Sequence, residues 1–192
     1  LTQAVDGHGN PTLDKAMLAH MLVLPAESYL IQLSAEANID AIHQARSLVR
    51  NTIAKKLGGL LLSVYKLNQK QVAYEANAGQ IAERSLKNVA LAYLMQPNDT
   101  EMVQLCVDQF TTANNMTDTS AALRALVGSA ASAAQAPKEK ALADFYNRWV
   151  NEALVVDQWF AIQASCPLPG TLDDVKALMS PVPYTTLPLP TI

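Results

Sequence analysis

The spacing of apolar residues over 39–64 constrains this chain more than any other feature. Ile39, Ile42, Val49, Ile53, Leu57, Leu60, Leu61 and Val64 fall at helical spacing, with Arg46, Arg50 and Lys56 between them. That repeat stacks side chains on one face of an α-helix. It predicts a long helix from near Asn38 to about Lys66, bent at the Gly58–Gly59 pair. No segment of the chain sustains the period-two alternation of a half-buried strand. The expected fold class is therefore all-α, with no sheet.

The same periodicity recurs along the chain. A first helix is expected to open on Asn10 as N-cap and Pro11 as first helical residue, placing Leu13, Met17, Leu18 and Met21 on one face. Pro25 stops it, and a short helix is expected over Glu27 to Leu33. The segment LNQKQVAYEANAG breaks the pattern before a strong helix from about Ala78 to Met95, expected to bury Ile81, Leu86, Val89, Ala90, Tyr93 and Leu94. Gln96-Pro97-Asn98-Asp99 is turn chemistry. Met102, Val103, Cys106, Val107 and Phe110 form the next stripe, and Leu123, Leu126 and Val127 the one after. Pro137 is expected to begin a helix carrying Leu142, Phe145, Tyr146 and Trp149. A further helix holds Val155, Val156, Trp159, Phe160 and Gln163. A short one runs from Leu172 to Met179, before the Pro-rich SPVPYTTLPLPTI. Starts near 78, 99, 118, 138, 153 and 171, grouped in pairs, recur about every 35 to 40 residues, the spacing of helical-hairpin arrays. The expected architecture is an irregular, solenoid-like α-superhelix of antiparallel hairpins, one domain over 1–180 with a tail at 181–192.

Composition narrows what such an array does. Half of the 192 residues are hydrophobic and only seven are Gly, which suits packed helices. The 14 basic and 17 acidic residues leave a net charge of −3. Their scatter lacks the basic stripe a nucleic-acid binder uses to neutralise phosphates, so no nucleic-acid partner is expected. No apolar run approaches the ~20 residues of a membrane span, and no membrane partner is expected. The start, LTQAVDGHGN, has neither the basic region nor the apolar region of a signal peptide. A chain opening on Leu1 reads as a piece of something longer.

Candidate chemistry is sparse. His8, His20 and His43 include no pair four residues apart, so they make no helical zinc motif. There is no GxSxG elbow, GxxxxGK[ST] loop or GxGxxG turn. Asp173-Asp174, and Asp99 with Glu101, suit the positive ends of helices. Cys106 and Cys166 stand alone among apolar residues and read as reduced, buried thiols. The sequons Asn98-Asp99-Thr100 and Asn115-Met116-Thr117 lie at inter-helix turns and read as caps before glycosylation sites. Asn114 and Asn115 are expected to close one helix in left-handed geometry, with Thr117 capping the next. The aromatic group Phe145, Tyr146, Trp149, Trp159 and Phe160 has the helical spacing of core. No catalytic, cofactor-binding or metal-binding residue is assigned from these patterns.

Four segments together carry a resemblance: LVLPAESYL at 22–30, RSLKNVALAYL at 84–94, ANNMTDTSAAL at 113–123 and FYNRWVNEALVVDQWFAIQAS at 145–165. In this order and spacing they resemble the C-terminal helical domain of the bacterial aminopeptidase N group, alanyl aminopeptidases of the M1 zinc-metallopeptidase family. The resemblance covers roughly residues 14 to 180. It implies a cytoplasmic, multidomain parent that removes N-terminal residues from peptides. There zinc is held by HExxH with a downstream Glu, and a GxMEN segment grips the α-amine. Neither motif occurs here, so no catalytic or metal residue carries over, and the chain alone is expected to be inactive and free of zinc. The matching domain in the family caps the active-site cavity and limits access to small peptides. Its implied partners are the catalytic and N-terminal domains of the same polypeptide and, through them, peptide substrates. Family members continue into an Asn-Pro-Asn-Arg-like segment where this chain reads TTLPLPTI, a tail either divergent or foreign to the family. A cut interface is expected to leave apolar surface and a tendency to self-associate. The rival reading is a stand-alone helical scaffold that binds a protein partner on its concave face.

Overall fold

Five side-chain caps set where helices begin in the computed structural model, which describes residues 13–179. Each accepts a hydrogen bond from an otherwise unpaired first-turn N–H. Asp14 opens α1 (Lys15–Met21), accepting from Met17 N at 2.9 Å. Asn38 opens α3 (Ile39–Asn68) through Ala41 N at 3.0 Å. Asn77 opens α4 (Ala78–Leu94) through Gln80 N at 2.8 Å. Asp99 opens α5 (Thr100–Thr112), and Asn115 opens α6 (Met116–Val127). The short α2 (Glu27–Gln32) has no side-chain cap. A 3-10 turn, Ser132–Ala134, leads into α7 (Gln135–Trp149), followed by α8 (Ala153–Ala164) and α9 (Thr171–Met179). No strand occurs among the described residues.

The helices stack in two layers. α3 packs on α4, α5 on α6 and α7 on α8, while α4, α6 and α8 follow one another as the second layer. The starts of these three, at 78, 116 and 153, recur after 38 and then 37 residues. This is the hairpin repeat legible in the sequence, an α-superhelix. The core runs along the inside, through Leu61, Val64 and Tyr65 of α3, Leu86, Ala90 and Leu91 of α4, Cys106 of α5, Leu123 and Leu126 of α6, and Phe145 of α7. α1 lies against α4, tied by Lys15 to Glu83 at 2.9 Å and by the Tyr93 hydroxyl, which donates to Leu22 O at 2.7 Å. Burial raises the pKa of Tyr93 and keeps it a donor. Burial opposes ionisation of Glu83, but the hydrogen bonds and charges of Lys70 and Lys15 outweigh it, so its pKa is lowered overall.

Several expectations shift in detail. α1 begins at Lys15 on its Asp14 cap; Asn10, Pro11, His8 and the tail at 181–192 lie outside the described residues. Of the expected first stripe only Leu18 is buried, while Leu13, Met17 and Met21 face outward. The apolar line of α3 splits in the same way. Ile39 and Val49 are exposed and Leu61 and Val64 are buried, because α4 covers only part of a 30-residue helix. Ile81 is exposed, and Ala82 and Leu91 take the buried face of α4. α7 starts two residues before Pro137, which sits in the first turn, where its missing N–H breaks no bond.

Candidate functional site

The segment ANNMTD at 113–118 joins α5 to α6 and anchors the one buried ion pair described. Asn115 has an extended φ of −149° and is itself the N-cap, its Oδ1 accepting from Asp118 N at 2.9 Å. Thr117, the expected cap, lies inside the helix. Asn114 and Asn115 do not adopt left-handed geometry. The described residues with positive φ are Asn98 at 59°, in the Gln96-Pro97-Asn98 turn, and Gly170 at 90°, before α9. Both are residue types that tolerate that region.

Asp118 sits in the first turn of α6, where the helix dipole favours a carboxylate. Lys87 of α4 donates to its Oδ2 at 2.7 Å, and each side chain is only 7% exposed. Asn115 donates to the same oxygen at 3.0 Å, and Asn88 donates to Oδ1 at 2.8 Å. Gln109 of α5 completes the set, donating to Asn88 Oδ1 at 2.8 Å and to Asp118 O at 3.0 Å. Gln109 Oε1, Ser120 Oγ and Tyr65 Oη are buried here or in the core without a partner. The network joins three helices through two charges that neutralise each other.

A cavity of about 420 Å³ opens beside it, lined by Lys87, Gln109, Asp118, Asn114 and the linker 69–73. Asn114 Nδ2 donates to Val72 O at 2.9 Å, holding that linker against the α5–α6 junction. The arrangement locks geometry and does not activate a group. Lys87 and Asp118 are committed to each other, and no Ser, Thr or Cys nucleophile is paired with a general base among these contacts. Breaking such a pair strands a buried charge, so its effect is on structure.

The other sequence candidates lie apart. His20 ends α1 on the surface, and His43 Nδ1 lies 2.9 Å from Glu27 Oε1, linking α2 to α3. Among the described residues no group of three or more His, Cys, Asp or Glu is placed to hold a metal ion. Cys106 is buried and free, its Sγ donating to Ala122 O at 3.3 Å, and burial pushes its pKa up to about 12. Cys166 is also free and only partly buried, its Sγ 3.3 Å from Val127 O. Of the aromatic group only Phe145 lies in the core, and Tyr146, Trp149, Trp159 and Phe160 are partly buried. Tyr146 and Trp159 lie 5.0 Å apart by centroid, and Trp159 Nε1 donates to Leu142 O at 2.9 Å. Sequence patterns missed Lys87, Asn88 and Gln109. The available signal was Lys-Asn on the inner face of a strongly apolar helix, in RSLKNVALAYL.

A family model described as a domain of unknown function (DUF3458_C), ARM repeats, matches residues 2–186. Aminopeptidase N of Escherichia coli (strain K12) is 35% identical over 90% of this chain, which spans 19% of that protein. Aminopeptidase N of Caulobacter vibrioides is 33% identical over 86% of the chain and 19% of its own length. That of Haemophilus influenzae is 36% identical over 83% and 18%. The crystal structure of Legionella pneumophila aminopeptidase A in complex with aspartic acid superposes with a TM-score of 0.75 at 26% identity, covering 90% of this chain and 21% of that one. The chain thus spans about a fifth of the length of each relative. It is homologous to the C-terminal helical domain of aminopeptidase N, as the four quoted segments imply.

Proposed function

The chain belongs to the DUF3458_C family of ARM-repeat domains, and from that premise we propose that it serves as the non-catalytic C-terminal domain of a zinc-dependent aminopeptidase. The parent removes N-terminal amino acids from peptides, and this domain caps the active-site cavity and restricts entry to small peptides. The observation that carries the reading is identity of 33 to 36% to three aminopeptidases N across most of this chain but under a fifth of theirs. Zinc belongs to the catalytic domain of that parent. Among the described residues, His20 and His43 stand on different helices and no group of three or more His, Cys, Asp or Glu is placed to hold a metal ion, so no zinc ligand is proposed there. No catalytic step is assigned to this chain.

The partners are the catalytic and N-terminal domains of the same polypeptide, in the bacterial cytoplasm. The proposed domain boundary, drawn from the sequence, is 1–180, with 181–192 as a Pro-rich tail. No helix of the described residues is long and apolar enough to cross a membrane, and neither membrane nor nucleic acid is a proposed partner. Both ends of the stack support docking to other domains. Met17, Met21, Val23, Tyr29 and Leu33 are exposed at one end, and Leu154, Leu172 and Met179 at the other. A helical stack leaves such faces unless something covers them, so self-association of the separated chain follows and is measurable by light scattering.

Two observations test this. Purified chain, incubated with zinc and assayed on an aminoacyl-anilide, is expected to retain no stoichiometric metal and release no product; zinc-dependent turnover contradicts the assignment. Reading the coding sequence ahead of Leu1 is expected to reveal HExxH and GxMEN; an unrelated domain there removes the peptidase reading.

A further inference from the structure

A second cavity, about 520 Å³, opens between the end of α1, the helices α3, α4 and α6, and the segment after α8. Arg46 and Arg50 of α3 and Arg124 of α6 line it, and none of its lining residues is Asp or Glu. In a chain of net charge −3, three of the 14 basic residues meet here while the 17 acidic ones contribute nothing to the wall. None of the three forms an ion pair with another described residue; the described salt bridges all use Lys or His. Arg46 Nε donates to Pro25 O at 2.8 Å and Arg50 Nη2 to Ala92 O at 3.4 Å. Each guanidinium carries five N–H donors, so most remain for a ligand.

The pairing is unfavourable as it stands. Arg46 and Arg50 are one helical turn apart, where like charges repel. Burial lowers the pKa of Arg50, and the charge of Arg46 lowers it further, with Tyr93 opposing. A planar anion relieves both effects, because a guanidinium fork matches a carboxylate through two parallel hydrogen bonds. The rest of the wall is mixed: Leu22, Val89, Ala125 and the body of Tyr93 supply its apolar part, and Asn88, Gln96 and Ser165 add neutral polar groups. Tyr93 is held in place by its bond to Leu22 O.

We infer that this cleft is a binding site for a carboxylate on an apolar stem, with Arg46 and Arg50 gripping the anion and Arg124 closing over it. The group is either a free carboxylic acid or an acidic side chain of a polypeptide, and the chemistry is shared. The site stands on this geometry alone and does not depend on the peptidase reading.

The test is a titration of the chain with hexanoate, hexylammonium and inorganic phosphate, following the arginine Nε–H signals by NMR. Two blocked tripeptides, Leu-Glu-Leu and Leu-Gln-Leu, distinguish a side-chain source from a free acid. Saturable shifts at Arg46 and Arg50 with hexanoate or the Glu peptide, weakened about tenfold or more by R50Q, support the site. Whichever of the two binds more tightly identifies the source. Arg124→Gln, on an exposed position of α6, provides a second variant that leaves the core untouched. Absence of saturation by both carboxylates overturns the site. Equal response to hexylammonium or the Gln peptide, tighter binding of phosphate, or unchanged affinity in folded R46Q, R50Q and R124Q overturns it as well.

Discussion

α6 and α8 are each 12 residues long and occupy the same layer, yet they fare oppositely. α6 reads MTDTSAALRALV and buries Asp118, Thr119, Ser120, Ala122, Leu123, Leu126 and Val127. α8 reads ALVVDQWFAIQA, a more apolar sequence, and fully buries only Val156 and Ile162. The cause is position. α6 has α4, α5, α7 and α8 around it, while α8 has α6, α7 and α9, and α9 itself buries nothing. In a one-dimensional stack, a helix is buried by its neighbours and not by its own composition. Asp118 is accommodated because Lys87, Asn88, Gln109 and Asn115 satisfy it, and the Thr119 hydroxyl donates to Asn115 O, while Ser120 Oγ is buried without a partner.

The sharpest way to break that contrast is Asp118→Ala, which leaves Lys87 charged and unpaired inside. It is expected to cost about 3–5 kcal/mol, read as a large fall in Tm. Replacing both partners, K87M with D118L, is expected to recover much of the loss, and no recovery would mean that the pair matters only through packing. Next comes Leu123→Ala, at a fully buried position of α6, expected to cost about 2–5 kcal/mol in denaturant unfolding. Asn115→Ala removes the cap and one bond to Asp118, and about 1–2 kcal/mol is expected. The smallest effect belongs to α8: Leu154, 85% exposed, changed to Ala should stay within about 0.5 kcal/mol of the parent. A loss at Leu154 rivalling that at Leu123 would dissolve the distinction between centre and edge. Thiol labelling offers a check without mutation. Cys106, buried with its pKa near 12, is expected to react only on unfolding, and Cys166 earlier.

The same contrast explains what the sequence could and could not reveal. Helix existence was legible because periodicity and capping are local: Asn38 opens α3 where the pattern begins, and the repeat of about 37 residues emerges from helix starts alone. Which face is buried was less legible. Met17, Ile39, Val49 and Ile81 fit apolar stripes as well as Leu61 or Leu86 do, yet lie beyond the reach of a neighbouring helix. ANNMTD was recognised as a junction, but its caps were displaced, because Asn115 satisfies Asp118 N and Asp118 answers a lysine some 31 residues away. That partner is a fact of tertiary packing. The arginine cleft was invisible for the same reason: Arg46 and Arg50 read as the polar side of α3, and only the fold brings Arg124 beside them.

Place in the stack decides what is buried, and so which helices keep exposed apolar faces. Hydrogen-exchange mass spectrometry on the native chain tests it most directly. Amides of α4 and α6 are expected to exchange slowest, with α8 and α9 far faster despite the apolar sequence of α8. Protection in α8 equal to that in α6 would contradict the account.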